Sequence, residues 1–327
     1  MQMKAAWYER NGPARDVLVV GDVDMPEPAA GEVRVKLATS GVNPSDVKGR
    51  RGRPPGGPRI IPHSDGAGVI DAVGNGVSHA RTGERVWIWN GQWKRTDGTA
   101  AEYICVPERQ AVRLPGNVDF AAGACLGIPA LTALHAVTLC GKVAGKTLLV
   151  TGAGSAVGYY ATQMAKLQGA RVIGTASDKR TDHARSAGAD FIIDYKSKDV
   201  TEVVKHLTRG ESVHGIIDMD LSSTASLIAD AIMRPHGTIV CYGSNQAGDI
   251  PISFPAMLWN SYTLRVFLVY ELPQEVRSAA ITQLGKMLAG GELKHSIGAR
   301  FPLRDIAAAH EAVEEGKVNG NVVLDIG

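Results

Sequence analysis

The sequence predicts an α/β protein in which a β-rich domain, split in the sequence, flanks a doubly wound parallel-sheet domain. Three observations lead to this prediction. Short alternating segments broken by Gly and Pro fill the first third of the chain, strand and helix alternate after it, and a single strand ends it. The length of 327 residues is sufficient for two domains.

The first third is predicted to be β-rich. Residues 32–37 (EVRVKL) and 85–88 (RVWI) are examples of its short strand-like segments. Gly and Pro separate such segments at short intervals, as they do in turns between strands.

The middle of the chain repeats a strand, a turn and a helix. Helix-forming residues at 120–125 and 131–138 precede the first apolar strand. The predicted strands of this part are 147–151, 171–174, 191–193, 215–218 and 238–241. This βαβ rhythm is typical of a parallel, doubly wound sheet.

The last part is predicted to hold helices at 274–289 and 304–316, a proline-containing turn at 301–303, and a strand at 321–326 (NVVLDI). A lone terminal strand needs a sheet to join, so we expect it to return to the first domain. The predicted boundaries are therefore 1–122 with 266–327 for the β-rich domain, and 123–265 for the parallel-sheet domain.

Composition excludes several classes of protein. Lys and Arg (35) nearly balance Asp and Glu (33), so a net charge of +2 provides no field that would attract nucleic acid or a membrane. The N-terminal segment lacks the apolar stretch of a signal peptide, and we expect a cytoplasmic protein with no membrane partner. The four cysteines are scattered, without a zinc or dithiol motif.

Residues 152–158 (GAGSAVG) form the clearest motif. They follow a predicted strand and precede a predicted helix and a second strand. Glycines in such a turn allow phosphate to approach the N–H groups at the helix N-terminus, where the helix dipole favours negative charge. The motif therefore predicts a dinucleotide site.

The end of the second strand indicates which dinucleotide binds. An acidic residue there would hold the ribose 2′-hydroxyl of NAD, whereas its absence beside cations admits the 2′-phosphate of NADP. Ala176 occupies that position, and Ser177, Lys179 and Arg180 follow. Asp178 is the contrary residue, which we interpret as solvated or as a helix cap. The sequence favours NADPH.

Several motifs in order resemble the medium-chain dehydrogenase/reductase superfamily, and within it the zinc-independent quinone oxidoreductases of the zeta-crystallin type. The motifs are 41–46 (GVNPSD), 62–70 (PHSDGAGVI), 83–86 (GERV), 127–133 (GIPALTA), 152–158, 187–190 (AGAD) and 193–195 (IDY). The resemblance covers essentially the whole chain. It implies a GroES-like β domain, a Rossmann domain, NADPH in the cleft between them, and a homodimer formed near residues 255–267.

The resemblance also implies a set of cofactor contacts. Asn43 and Thr132 are expected near the nicotinamide, and the turn formed by Gly154, Ser155, Ala156 and Val157 at the pyrophosphate. The expected 2′-phosphate contacts are Ser177, Arg180 and Tyr195. The other expected contacts are Tyr242, Gly243, Ser244, Phe267, Leu268, Val269 and Asn321. Ser155 and Ala156 replace two glycines that are usual in the family.

Neither a catalytic nor a structural zinc is expected. Zinc-dependent relatives carry Cys and His where this chain has Asn43 and Ser64, and they have a four-cysteine lobe that is missing here. His63 lies one residue out of register with the zinc-ligating His, and we interpret it as structural.

The expected chemistry is hydride transfer from NADPH to a quinone or a conjugated enone, whose product oxyanion is delocalised. Without zinc, hydrogen-bond donors have to stabilise that oxyanion. The candidate catalytic residues are Asn43, Lys48 and Thr132.

Two alternatives stay open. The protein could bind NADPH without turnover, since a fold does not fix a function. It could also bind nucleic acid through the basic loop at 50–59, in which Arg51, Gly52, Arg53 and Pro54 match the core of an AT-hook. A single short patch on a nearly neutral chain makes nucleic acid the weaker alternative.

Overall fold

The computed structural model describes residues Met1–Gly327 and divides the chain into two compact units. The first unit contains 1–128 and 285–327, and the second contains 129–284. The second unit therefore includes 266–284, which the sequence analysis had placed in the β-rich domain. The reason is that this segment stays in contact with the parallel-sheet unit, since the N–H of Phe267 donates to the carbonyl of Cys241 and the Phe267 ring contacts His135.

The elements alternate much as predicted. The strands are β1 (Gln2–Trp7), β2 (Val19–Asp24), β3 (Glu32–Val42), β4 (Asp65–Val73), β5 (Arg85–Ile88), β6 (Tyr103–Pro107), β7 (Ala111–Arg113), β8 (Thr147–Val150), β9 (Arg171–Ala176), β10 (Phe191–Asp194), β11 (Val213–Asp218), β12 (Met233–Cys241), β13 (Thr263–Val266), β14 (Ile297–Pro302) and β15 (Asn321–Asp325). The α-helices are α1 (Ala14–Val17), α2 (Pro44–Gly52), α3 (Phe120–Gly123), α4 (Leu131–Leu139), α5 (Ala156–Leu167), α6 (Thr181–Ser186), α7 (Val200–Leu207), α8 (Leu221–Thr224), α9 (Ser226–Ala229), α10 (Phe254–Trp259), α11 (Gln274–Ala289) and α12 (Ile306–Glu314).

The second unit contains a six-stranded sheet in the order β10-β9-β8-β11-β12-β13, and every neighbouring pair is parallel. The order reverses between β8 and β11, which is the Rossmann arrangement. Parallel strands of this kind are buried on both faces, and Leu149, Ile173 and Ile216 contribute to one apolar cluster there. The predicted doubly wound sheet is confirmed. In such sheets ligands bind at the carboxyl ends of the strands beside the switch point.

The first unit contains a larger sheet in the order β14-β15-β3-β4-β5-β7, with β6 paired to β3, and a separate pair β1-β2. The terminal strand β15 runs antiparallel to β3, with Val322 opposite Val42. The last strand of the chain therefore does return to the β-rich unit, as the sequence predicted.

One strand was missed by the sequence analysis. β14 pairs in parallel with β15 and ends at Pro302, inside the segment predicted as a turn. Proline is tolerated at the end of an edge strand because no ladder hydrogen bond is needed from its nitrogen. No helix of this fold combines the length and apolar character needed to cross a bilayer.

Candidate functional site

The glycine turn after β8 is built by close backbone approaches. Gly152 has a φ of +63°, a conformation that favours glycine. A Cβ added at Gly158 would lie 2.2 Å from the carbonyl oxygen of Gly152, so only glycine allows α5 to start this close to the turn. The N–H of Gly152 is held by the hydroxyl of Thr175 on β9, at 3.0 Å.

Ser155 and Ala156 fit this turn although the family usually has glycine there. Ser155 has a φ of −82°, which any residue can adopt, and its hydroxyl accepts a hydrogen bond from the N–H of Gly158 at 3.0 Å. Ser155 is thus the N-cap of α5, and Ala156 and Val157 form the first helical turn. The N–H groups of a first helical turn have no carbonyl partner within the helix, so they suit a phosphate.

The structure brings Ser177, Arg180 and Tyr195 to one end of the neighbouring strands β9 and β10. Ser177 follows β9, and Asp194 lies opposite Ala176 in the register, which places Tyr195 beside Ser177. Arg180 packs against the glycine turn, since a Cβ at Gly154 would lie 2.9 Å from the Cβ of Arg180. No carboxylate ends β9, so nothing occupies the place of the acid that selects NAD.

The segment after β12 approaches the segment after β11. The N–H of Tyr242 donates to the carbonyl of Asp218, and a Cβ at Gly243 would lie 2.5 Å from the carbonyl oxygen of Met219. Burial, and next the carboxylate of Asp218, raise the pKa of Tyr242, so this tyrosine stays protonated. Ser244 follows in the same loop and donates to the carbonyl of Gln246.

Thr132 lies on α4 with its hydroxyl buried and without a hydrogen-bond partner. A buried hydroxyl of this kind costs free energy unless a ligand or water satisfies it, which makes Thr132 a candidate contact for a bound group. One turn further on, His135 contacts the edge of the Phe267 ring, with centroids 4.6 Å apart. Burial and the nearby Arg277 lower the pKa of His135, so the contact is with a neutral ring.

A side chain of α11 holds the segment formed by Phe267, Leu268 and Val269 in place. The guanidinium of Arg277 is almost fully buried and donates to the carbonyls of Val269 at 2.5 Å and Tyr270 at 3.1 Å. This role of Arg277 was not predicted from the sequence, because an arginine within a helix carries no signal that it bonds to backbone carbonyls.

In the first unit, Asn43 precedes α2 and is held by two carboxyl groups. Its N–H donates to Asp46 at 2.8 Å, and its Nδ2 donates to Asp65 at 2.9 Å. The same Asp65 oxygen accepts from the N–H of Ile128, and the other oxygen has no partner. Burial raises the pKa of Asp46 to about 7 and that of Asp65 well above its usual range.

Asp65 is a second residue that the sequence analysis missed, although it lies in the quoted motif 62–70. Its role becomes visible only when β4 places it opposite Gly41, at the strand that leads into Asn43. Of the other candidates in this unit, Lys48 lies exposed on α2, and Asn321 donates from both its backbone N–H and its side chain to the carbonyl of Ser296.

The side chains of this chain do not fit a catalytic zinc. Asn43 and Ser64 stand at two of the ligand positions, and neither side chain is a usual zinc ligand. Both ring nitrogens of His63 are engaged, with Ser40 at 2.9 Å and with His310 at 2.9 Å. No group of three or more His, Cys, Asp or Glu is placed to hold a metal.

The basic loop does not have the form of an AT-hook. Arg50 and Arg51 belong to α2, and both pair with Glu314. Arg50 is fully buried, and the guanidinium of Arg53 lies 5.6 Å from the centre of the Trp93 ring. Arg50 and Arg51 thus share the single negative charge of Glu314, and the buried Arg50 is not accessible to a nucleic acid.

Two sequence-family profiles match the chain. The family described as "Alcohol dehydrogenase GroES-like domain" matches residues 29–116, and the family described as "Zinc-binding dehydrogenase" matches residues 156–285. The first match lies within the β-rich unit. The second lies within the parallel-sheet unit except for its last residue, 285, which belongs to the β-rich unit. The expected combination of a GroES-like and a Rossmann domain is confirmed.

Individual relatives are similar over the whole length. The human protein named quinone oxidoreductase is 31% identical over 97% of this chain and 95% of its own. A solved NAD-dependent alcohol dehydrogenase is 30% identical, with a TM-score of 0.87 over 99% of this chain and 100% of its own. A mycobacterial protein solved in complex with NADPH is 27% identical, with a TM-score of 0.85 over 99% and 100%.

Proposed function

Because the chain belongs to the medium-chain dehydrogenase/reductase superfamily and to its quinone oxidoreductase-like family, we propose that it is an NADPH-dependent reductase of quinones or conjugated enones that works without zinc. The human relative is named as an oxidoreductase, and the names of the two solved structures mention NAD or NADPH. The observation that carries the finer proposal is the end of β9, where Ala176 stands at the last strand position instead of an acid and Arg180 packs on the glycine turn.

The residues of the second unit fit this cofactor. The first turn of α5 would bind the pyrophosphate, and Ser177, Arg180 and Tyr195 the 2′-phosphate. Arginine suits phosphate because its planar guanidinium donates two parallel hydrogen bonds. Tyr242, Gly243 and Ser244 would follow the cofactor past β12, Phe267, Leu268 and Val269 would contact it further on, and Asn321 would be a further contact.

When bound, NADPH supplies a hydride, and the chain has to orient the acceptor and stabilise the oxyanion that forms. Asn43 has one side-chain N–H committed to Asp65, so its second N–H is the donor available for this role. Thr132 offers a hydroxyl that has no protein partner. Lys48 is exposed, which suits a proton source in contact with water better than a donor buried against the acceptor.

A panel of acceptors tests this proposal. We expect p-benzoquinones and conjugated enones to accelerate oxidation of NADPH more than that of NADH, and dialysis against a chelator to leave the rate unchanged. If NADPH binds but no acceptor accelerates its oxidation, the protein is a binding protein without turnover. Loss of activity in the chelator would contradict the zinc-free mechanism.

We also propose a homodimer through the outer edge of the parallel sheet. β13 is an edge strand, and large apolar side chains are exposed both on it and on α10, which precedes it in the chain. The exposed fractions are 69% for Phe254, 59% for Leu258, 83% for Trp259 and 69% for Val266. Exposed apolar side chains on and before an unpaired edge strand are suited to contact with a second copy of the same edge.

Replacing Trp259 with glutamate is expected to convert the dimer into a monomer of 34.6 kDa, because the charge would be buried in the interface. Sedimentation velocity measures this directly. Phe191→Glu is the matched control, since Phe191 is an exposed aromatic residue on the opposite edge strand β10. Dissociation of the control but not of Trp259→Glu would place the interface elsewhere.

A further inference from the structure

A buried chain of hydrogen bonds crosses the first unit from α2, through α12, to β4. Its members are Arg50, His310, His63, Ser40 and Thr99, all of them fully buried, and it ends at the carbonyl of Asp65. Arg50 Nε lies 3.3 Å from His310 Nδ1, and the Nε2 atoms of His310 and His63 are 2.9 Å apart. His63 Nδ1 lies 2.9 Å from the Ser40 hydroxyl, which lies 2.7 Å from the Thr99 hydroxyl. The Thr99 hydroxyl lies 2.5 Å from the carbonyl oxygen of Asp65.

The two ends of this chain fix the direction of every bond in it. A guanidinium N–H can only donate and a carbonyl can only accept. His310 therefore accepts at Nδ1 and carries its proton on Nε2, which donates to His63. His63 in turn carries its proton on Nδ1 and donates to Ser40, which donates to Thr99. Both histidines are neutral, because an imidazolium would have no acceptor site to offer.

The same ends prevent the chain from conducting protons. Arg50 remains protonated and pairs with Glu314, and the Asp65 carbonyl has no proton to pass on. The chain can therefore orient groups, but it cannot deliver a proton to a reaction.

The group that the chain orients is the residue that holds Asn43. Thr99 bonds to the carbonyl of Asp65, and the Asp65 side chain accepts from Asn43 at 2.9 Å and from the N–H of Ile128 at 3.1 Å. His63 precedes Asp65 by two residues and has a φ of +78°. Its ring and its backbone therefore both help to fix the position of the first residue of β4.

We propose that His63 and His310 are positioning residues, which through Ser40, Thr99 and Asp65 hold the side-chain amide of Asn43 in one orientation towards the reacting groups. The importance of that orientation rests on the proposed function, in which the second N–H of Asn43 stabilises the oxyanion. Neither histidine touches substrate or cofactor in this role. An orientation error of this kind reduces the rate of the chemical step more than it weakens binding.

The tautomers can be tested on the unmodified protein. Long-range ¹H–¹⁵N correlation spectra are expected to show both rings neutral at pH 6.5, with the proton on Nδ1 of His63 and on Nε2 of His310. The opposite tautomer at either ring, or a charged ring, overturns the proposal. This measurement does not depend on any activity.

The coupling to Asn43 is tested with His310→Phe, which keeps an aromatic ring but removes both bonds. We expect the side-chain amide resonances of Asn43 to shift, and kcat to fall about tenfold while KM for NADPH changes less than about twofold. His310→Gln keeps a donor and an acceptor and is expected to restore most of kcat. Unchanged Asn43 resonances and unchanged kcat in His310→Phe would overturn the proposal.

Leu303→Ala is the control for a loss of stability, because Leu303 is buried in the apolar cluster that also contains Ile306 of α12 but takes no part in the chain. It is expected to leave the Asn43 resonances in place. If Leu303→Ala moves them as much as His310→Phe does, the effect is general loosening and the proposal fails. If the unmodified protein reduces no acceptor, the proposed function fails, while the tautomers and Asn43 resonances still decide whether the chain positions Asn43.

Discussion

Replacing Arg180 with glutamate is expected to weaken NADPH binding about a hundredfold and to change NADH binding little. A charge-assisted hydrogen bond to phosphate contributes about 1.5–3 kcal/mol, and the introduced carboxylate adds repulsion; about 2.8 kcal/mol corresponds to a hundredfold. The effect should be confined to NADPH, because only this cofactor carries the 2′-phosphate. Titration calorimetry with both nucleotides measures the two affinities.

Arg185→Glu is the matched control for this charge reversal. Arg185 lies on α6, is exposed, and pairs with Asp182 at 2.9 Å. Its replacement by glutamate therefore makes the same change of charge as Arg180→Glu, but at a residue outside the proposed phosphate site. At physiological salt its effect on NADPH is expected to be small because exposed charges are screened over about 8 Å. Equal losses for NADPH and NADH in Arg180→Glu would show that Arg180 does not bind the 2′-phosphate.

The second large effect is a pH dependence that comes from His310. Burial, and next the charge of Arg50, lower the pKa of His310 to about 3, against about 6.5 in an unfolded chain. Between pH 3 and pH 6.5 the unfolded chain binds a proton at this histidine, whereas the folded protein does not. The stability associated with the neutral ring is therefore complete above pH 6.5 and declines by about 1.4 kcal/mol per pH unit as the pH falls towards 3.

Comparison with His310→Gln isolates this contribution. The variant is expected to be less stable at pH 7.5, but its deficit should shrink by about 2.7 kcal/mol between pH 7.5 and 4.5, since glutamine does not titrate. Urea unfolding followed by tryptophan emission is suitable, because four of the five tryptophans lie in the first unit, at positions 7, 87, 89 and 93. A deficit that does not change with pH would show that His310 titrates normally.

The effect of His310 has to be measured as the difference in the free energy of unfolding between the unmodified protein and His310→Gln at each pH. The pH profile of the unmodified protein alone does not isolate it. Asp46 and Asp65 have pKa values raised by burial, and they act with the opposite sign in the same pH range. Their folded forms hold protons that the unfolded chain releases, so their contribution to stability is present at low pH and is lost as the pH rises. The two aspartates are unchanged in His310→Gln.

The predictable parts of the site are those encoded by neighbours in the sequence. The turn at 152–158 could be located because a strand, a turn and a helix follow one another, and glycine is needed where backbone atoms approach within contact distance. The choice of Ser177 and Arg180 as cofactor contacts, and of Ala176 as the position that lacks an acid, also depends on local order. Their positions in the structure suit those roles, and the roles themselves stay predictions.

The less predictable parts depend on residues that are distant in the sequence. β14 was missed because its proline is acceptable only at an edge, and whether a segment forms an edge depends on its neighbours in the sheet. Arg277 was missed because its partners are backbone carbonyls, which every residue possesses. The interpretation of His63 as structural agrees with its burial, but its partner His310 lies 247 residues away.

By itself the sequence determined the fold class, the return of the last strand to the first domain, and the site of the dinucleotide turn, because hydrophobic period and glycine spacing are local properties of the chain. Only the tertiary structure decided which polar side chains are buried together. Removal from water favours the neutral form of each of these side chains, so it lowers the pKa of the two histidines and raises the pKa of the two aspartates. Which side chains are removed from water depends on what the rest of the fold places around them.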